Sequence, residues 1–267
     1  MLQVETHGDV TFVRLARRVL GRPMFWTGCY LVDGLLLDCG PPVTAPELLD
    51  FLGDRPLEAL CLTHHHEDHM GGAAALVARR GLPVRAHALG LDFLAQGFEQ
   101  QFYRRLAWGR AARLRAESLA GAFEGRRLRF EPVLTPGHSP DHVCFLAPER
   151  GWLFTGDLFL AERLRFLRAD EDLTALIDSL DHAASLPAGE VFCAHRGPVR
   201  GGVEALRRKA EHLRALREGL RDGLRRGRSE AELTRRLVGR EGYLSLLSGG
   251  HFSARNFVRA VAKGAGA

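Results

Sequence analysis

The chain has 267 residues, 46% of them apolar, and a formal net charge of +5. That length holds one large domain or one domain with an appendage, and the composition excludes a disordered or collagen-like chain. No stretch approaches the roughly 18 uncharged apolar residues of a membrane helix, and the start Met1-Leu2-Gln3-Val4-Glu5 carries no secretory pattern, so a cytoplasmic location is expected.

The cation is almost all arginine, with Lys209 and Lys263 the only lysines, and its excess lies between Arg200 and Arg240 among interspersed acids. That spacing describes solvated helix faces more readily than a phosphate-binding surface. Cys29, Cys39, Cys61, Cys144 and Cys193 sit in or beside apolar strand-like runs without paired spacing, which reads as buried reduced thiols.

In chain order, Val4 to Thr6 and Val10 to Arg14 predict a hairpin turning at Gly8-Asp9. Cys29 to Val32 and Leu35 to Asp38 predict a second, turning at Asp33-Gly34. A helix over 45–52 precedes the apolar run Ala59-Cys61-Leu62. A helix over 71–80 and a strand over 83–87 follow. Residues 88–123 carry Phe93, Phe98, Phe102, Tyr103 and Trp108 among arginines at helical spacing, which predicts a helical insertion covering the site. Strands are expected over 128–135, 142–146, 152–155 and 190–194, with a helix over 172–185. From Gly202 the chain is helical by period, with Ser229 and Ser253 as N-caps. Two strand runs, each trailed by helix, imply two sheets face to face with helices outside.

The chemistry concentrates in Thr63-His64-His65-His66-Glu67-Asp68-His69, behind a strand and ahead of Gly71-Gly72. His64 and His66, two apart in an extended loop, point to one side and can share an ion, while Asp68 and His69 diverge toward a second. Three imidazoles and a carboxylate are poor core material, so this is read as a metal site and not a polar loop. His138, Asp157 and His195 each follow an apolar strand, and glycine precedes the first two, so all three can gather at one sheet edge.

These residues resemble the metallo-beta-lactamase superfamily over about residues 1 to 200. Its T-H-x-H-x-D-H signature is met at Thr63 to His69, and its later His, Asp and His at His138, Asp157 and His195. The resemblance implies an α/β fold, a four-layer αββα sandwich as the catalytic domain over 1–200. The helical C-terminal region over 201–267 can take a winged-helix-like form. It also implies two divalent metal ions, zinc by the hydrolytic pattern of the ligands. One is taken by His64, His66 and His138, the other by Asp68, His69 and His195, with Asp157 bridging. Asp68 and Asp157 are then the catalytic carboxylates, and Asp38 and Thr63 stand behind the ligands.

A metal-bridging hydroxide would make the protein a hydrolase, with an acyl thioester or ester as the expected small-molecule substrate. Hydroxyacylglutathione hydrolases share the full ligand set, though their lysine-containing C-terminal determinants are not recognisable. RNA phosphodiesters are the alternative, since the segment after His195 resembles the tail of lactamase-beta-like endoribonucleases; lactones are a further one. Phe102, Tyr103 and His251 are candidate substrate contacts, and no membrane partner is expected. His65, Glu67, Asp141 and His142 are open between solvent and supporting roles.

Overall fold

A computed structural model describes residues 1–264. By contact the chain forms two compact units: Met1–Leu134 with Pro140–Asp157 and Pro187–Arg200, and a second containing Thr135–Ser139, Leu158–Leu186 and the chain from Gly201 on. By contact, 135–139 and 158–186 group with the chain after Gly201.

In the first unit, β1 (Leu2–His7), β2 (Val10–Val19), β3 (Arg22–Val32) and β4 (Leu35–Leu37) form an antiparallel meander. It continues in parallel through β5 (Ala59–Cys61), β6 (Val84–Ala86) and β7 (Glu117–Ser118). The tight turn at Asp33-Gly34 has both residues at positive φ, 47° and 82°, the primed geometry that matches strand twist. Leu20-Gly21 makes the same turn at 49° and 77°, a hairpin without the Asn or Asp usually found there.

The second sheet runs β8 (Phe123–Glu124), β9 (Arg129–Leu134), β10 (Val143–Ala147) and β11 (Trp152–Phe154). Passing over β12 (Leu167–Arg168), which belongs to the other unit, it continues in β13 (Glu190–Cys193) and β14 (Gly197–Pro198). The inner faces of the two sheets share a core that includes Phe12, Tyr30, Phe130, Phe145, Phe154 and Phe192. Each such ring, fully buried, contributes about 1.5–3 kcal/mol relative to exposure. Tyr30 keeps its polar end satisfied by donating its hydroxyl to the Cys193 carbonyl across the sandwich, at 2.6 Å.

The outer face of the first sheet is covered by α1 (Ala45–Leu52), the single turn α2 (Glu67–Met70), α3 (Ala73–Arg80) and α4 (Leu91–Gln96), through Leu36, Leu48, Leu60, Met70, Leu76 and Leu94. The expected insertion is helical only in part. It contains α4 and α5 (Phe102–Trp108), then an extended arm, and ends in β7 at the sheet edge.

In the second unit, α6 (Leu173–Ser185) pairs with α7 (Gly202–Arg225), then come α8 (Glu230–Leu233), a π-helical turn at Thr234–Val238, α9 (Tyr243–Leu247), β15 (Phe252–Ser253) and α10 (Arg255–Gly264). Ser229 caps α8 as expected, accepting from the Glu232 amide. The tail is helical. Its strand β15 pairs with β12 outside the tail, so among the described residues the tail makes no wing hairpin of its own. No helix among them is long and apolar enough to cross a membrane.

Candidate metal centre

The parallel neighbours β4 and β5 end side by side, and each leads into a polar turn. Asp38 leaves β4 at φ +60°, a left-handed conformation that costs a non-glycine residue energy and persists because its carboxylate is held from three sides. Its Oδ1 accepts the Thr63 amide at 2.8 Å, and Oδ2 accepts the Thr63 hydroxyl at 2.9 Å and His69 Nδ1 at 2.8 Å. His69 Nδ1 is therefore the donor to Asp38, and Nε2 is the nitrogen turned inward. Thr63 repeats the device: having given its own proton to Asp38, its oxygen accepts His64 Nδ1 at 2.9 Å.

Around His69 Nε2 stand Asp157 Oδ1 at 3.2 Å and Asp68 Oδ2 at 3.8 Å, and His195 Nε2 lies 3.0 Å from the same Asp157 oxygen. His195 is oriented by its Nδ1, which donates to the Trp26 carbonyl at 2.7 Å. The backbone after β11 is fixed by His142, whose Nε2 accepts the Asp157 amide at 3.1 Å. Gly156 makes that approach possible: at φ +47°, a Cβ there would meet His142 Nε2 at 2.7 Å.

Ligand atoms of His64, His69 and Asp157, and of Asp68, His69 and His195, lie within 4.8 Å of one another. Burial pulls the pKa of His69 down, but Asp157, Asp38 and Asp68 more than reverse this and hold it well above its ordinary value. His195 is raised in the same way: burial is outweighed by Asp157 and Asp68. Carboxylates gathered this closely around imidazoles call for positive charge. The wholly buried His69 Nε2 makes no hydrogen bond. A divalent cation fits both observations, and imidazole with carboxylate is the donor set of zinc-type sites.

Of the other expected residues, His66 belongs to the same cluster, its ring 4.4 Å from that of His64. His138 lies in the second unit, where Nδ1 meets Glu171 Oε1 at 2.7 Å. Phe102 is 75% exposed on α5, and Tyr103 beside it is half-buried. Instead Phe93 stacks on His65 at 4.1 Å and Phe98 meets the same ring edge-on at 4.9 Å, so the insertion does abut the histidine loop. His251 faces Asp170 in the second unit, at 3.3 Å.

Sequence reasoning left His65 and Glu67 open between solvent and supporting roles. Both are buried. His65 binds Asp141 at 2.7 Å, and Glu67 pairs with Arg104 of α5 at 2.6 Å. Arg104 also approaches Asp68 Oδ1, at 3.7 Å. No spacing in the sequence links Arg104 to Glu67 or Glu171 to His138, and only the fold joins them.

A profile of the metallo-beta-lactamase superfamily matches residues 28–195, more than half of the chain, and the protein belongs to that superfamily. A hydroxyacylglutathione hydrolase from Synechococcus sp. (strain JA-3-3Ab) is 34% identical over 158 residues, which cover 58% of this chain and 56% of the relative. A lactamase-like protein nscB from Trichophyton equinum is 33% identical over 202 residues, covering 72% of this chain and 53% of the relative. The chain thus spans little more than half the length of these relatives. Among solved structures, a beta-lactamase domain protein from Burkholderia ambifaria superposes with a TM-score of 0.73 at 18% identity, over 98% of this chain and 88% of that one. A metallo-beta-lactamase family protein from Thermus thermophilus gives 0.64 at 22% identity, over 95% and 91%. These similarities carry the fold.

Proposed function

We propose that the protein is a dinuclear metal-dependent hydrolase acting on an acyl thioester or ester. The observation that carries this reading is the convergence of His64, His69, Asp157, Asp68 and His195 on a buried centre with an unsatisfied imidazole nitrogen. In it, Asp68, His69 and His195 would hold one ion and His64 and His66 would serve the other, with Asp157 within reach of both. Divalent cations held there would supply an activated water at neutral pH and positive charge for the substrate oxygen.

The chain's own residues then do three things. Asp38 and Thr63 fix the orientations of His69 and His64, so that their Nε2 nitrogens face inward. The Trp26 carbonyl and His142 hold His195 and the Asp157 backbone in register. Phe93 and Phe98 back the histidine loop and keep water from its outer side. A thioester is favoured by the similarity to an enzyme named hydroxyacylglutathione hydrolase.

The RNA alternative rests on the arginine-rich tail, and there many of the cations are paired locally with acids. Arg207 pairs with Glu204, Arg208 with Glu162, Arg214 with Asp181, Arg221 with Glu218 and Arg226 with Asp222. The deciding test is side-by-side turnover of an acyl-thioester panel and a single-stranded RNA by wild type and Asp68→Ala. Thioester hydrolysis abolished by the substitution is expected; RNA cleavage that depends on Asp68, with no thioester turnover, would overturn the reading.

A further inference from the structure

The turn joining β2 and β3 exposes side chains of the kind buried elsewhere in the first unit. Leu20 is 98% exposed at φ +49°, a left-handed position where local preference asks for Asn, Asp or Gly. Met24 and Phe25 follow it on the surface, Phe25 at φ +58°. This hairpin end is fastened to α5: Phe25 meets Trp108 edge-on at 5.7 Å, and Arg17 donates to the Leu106 carbonyl. α5 buries Arg104 and Ala107 and leaves Phe102 and Leu106, one turn apart, 75% and 62% exposed. Five apolar side chains thus stand exposed on two elements held together within one unit. A protein surface rarely gathers such side chains without a use.

The charge around these side chains is of one sign. Residues 10–32 contain four arginines and residues 100–116 five, and neither segment contains an Asp or Glu. Arg18, Arg22, Arg105 and Arg110 are exposed and form no ion pair among the described residues, unlike the arginines of α7. A second copy of the chain would set these cations against themselves, with no acid in either segment to answer them. Nucleic acid would take the arginines but leave the aliphatic Leu20, Met24 and Leu106 without a partner. The boundary of an anionic bilayer answers both, since phosphates take guanidinium groups and the upper acyl chain takes leucine and phenylalanine.

We propose that the β2–β3 turn and α5 form a docking face for an anionic membrane surface. Leu20, Phe25, Phe102 and Leu106 enter the boundary between headgroups and acyl chains, and Arg18, Arg22, Arg105 and Arg110 pair with lipid phosphates. The contact is peripheral and reversible, and it stands whether or not the substrate is a thioester. Linear patterning does not reveal it, because neither segment resembles a membrane element and the two meet only in the fold. The face is one residue removed along the chain from groups of the metal centre. Trp26, after Phe25, accepts from His195, and Arg104, before Arg105, reaches Glu67 and Asp68.

The test is co-sedimentation of the full chain with vesicles of phosphatidylglycerol and phosphatidylcholine in equal parts, or of phosphatidylcholine alone. Binding to the mixed vesicles only is expected, weakening steeply between about 50 and 300 mM salt. Arg18→Gln with Arg22→Gln should weaken partitioning about 25-fold, roughly fivefold for each arginine. Leu20→Ser with Phe102→Ser should weaken it about tenfold or more, with Tm unchanged because both side chains are exposed. Leu20→Trp should shift its emission to the blue on anionic vesicles and be quenched by brominated acyl chains, which reports entry below the headgroups. Absence of binding to the mixed vesicles overturns the inference. So does binding that the two arginine changes weaken while Leu20→Ser with Phe102→Ser leaves it intact, since that is adsorption by charge alone. A dimer in sedimentation equilibrium that Leu20→Ser with Phe102→Ser dissociates overturns it too, because a second copy then covers the face. Retention on poly(U) or polyglutamate without vesicle binding reassigns the arginines to a polyanion and overturns it as well.

Discussion

Asp38 illustrates how much one side chain can organise. Its carboxylate fixes Thr63 and, directly, His69, so the loop cannot present its nitrogens without it. Replacing Asp38 by Asn substitutes an amide for one acceptor oxygen and is expected to weaken zinc binding about 10- to 100-fold, read by competition with a chelating dye. An affinity within threefold of wild type would show that the loop holds its shape unaided. Gly156→Ala meets a different obstacle, a positive φ and the His142 ring, and should cost about 1–3 kcal/mol in denaturant unfolding. The cysteines are the inert counterpart. Burial pushes the Cys61 thiol up to about 12, against a partial pull from Arg85, and Cys29 and Cys39 are likewise raised by burial. All five are buried thiols outside any disulfide, so a thiol reagent at pH 8 should label none quickly in the folded protein and all five in denaturant. Rapid labelling of one in the native state would contradict that packing.

At the scale of elements, the insertion is tied to the histidine loop by an ion pair with no solvent around it. Burial raises the Glu67 carboxyl, Arg104 pulls it back, and Asp68 raises it further. Arg104→Met strands that carboxyl and should destabilise the fold by about 3–5 kcal/mol, whereas Glu67→Gln combined with Arg104→Met should cost less than the sum of the two single changes. Additive losses in thermal unfolding would mean that the two residues do not act as a pair. Gly97 and Gly109, at φ +84° and +93°, end α4 and α5 where the chain must turn sharply. The aromatic stripe divides accordingly: Phe93 and Phe98 pack on His65, while Phe102 faces solvent.

For the molecule as a whole, metal binding and folding should be linked. Carboxylates concentrated at the centre repel one another when the cations are removed. Exhaustive chelation is therefore expected to lower Tm, and zinc to restore it, with elemental analysis giving close to two metals per chain. A Tm indifferent to chelation in a protein that still binds zinc would separate the site from the fold. Ionic strength gives a second check on the tail, because surface ion pairs of the kind lining α7 contribute only about 0–1 kcal/mol each.

Local pattern was enough for much of this protein. Apolar alternation, the Asp33-Gly34 turn, helix 45–52 and the strand ahead of His64 are encoded within a few residues of themselves, and the structure has them where the sequence predicts them. The crowding of His64, His66, Asp68 and His69 was legible for the same reason, since their nearness in space follows from nearness along the chain. Long-range partners were not. Arg104 meets Glu67 across 37 positions, His195 reaches the Trp26 carbonyl across 169, and β15 finds β12 only once the tail has folded. Side-chain spacing can report which residues share a helix face or a strand face. Which charges are buried together depends on how those faces pack, and tertiary structure alone decides that.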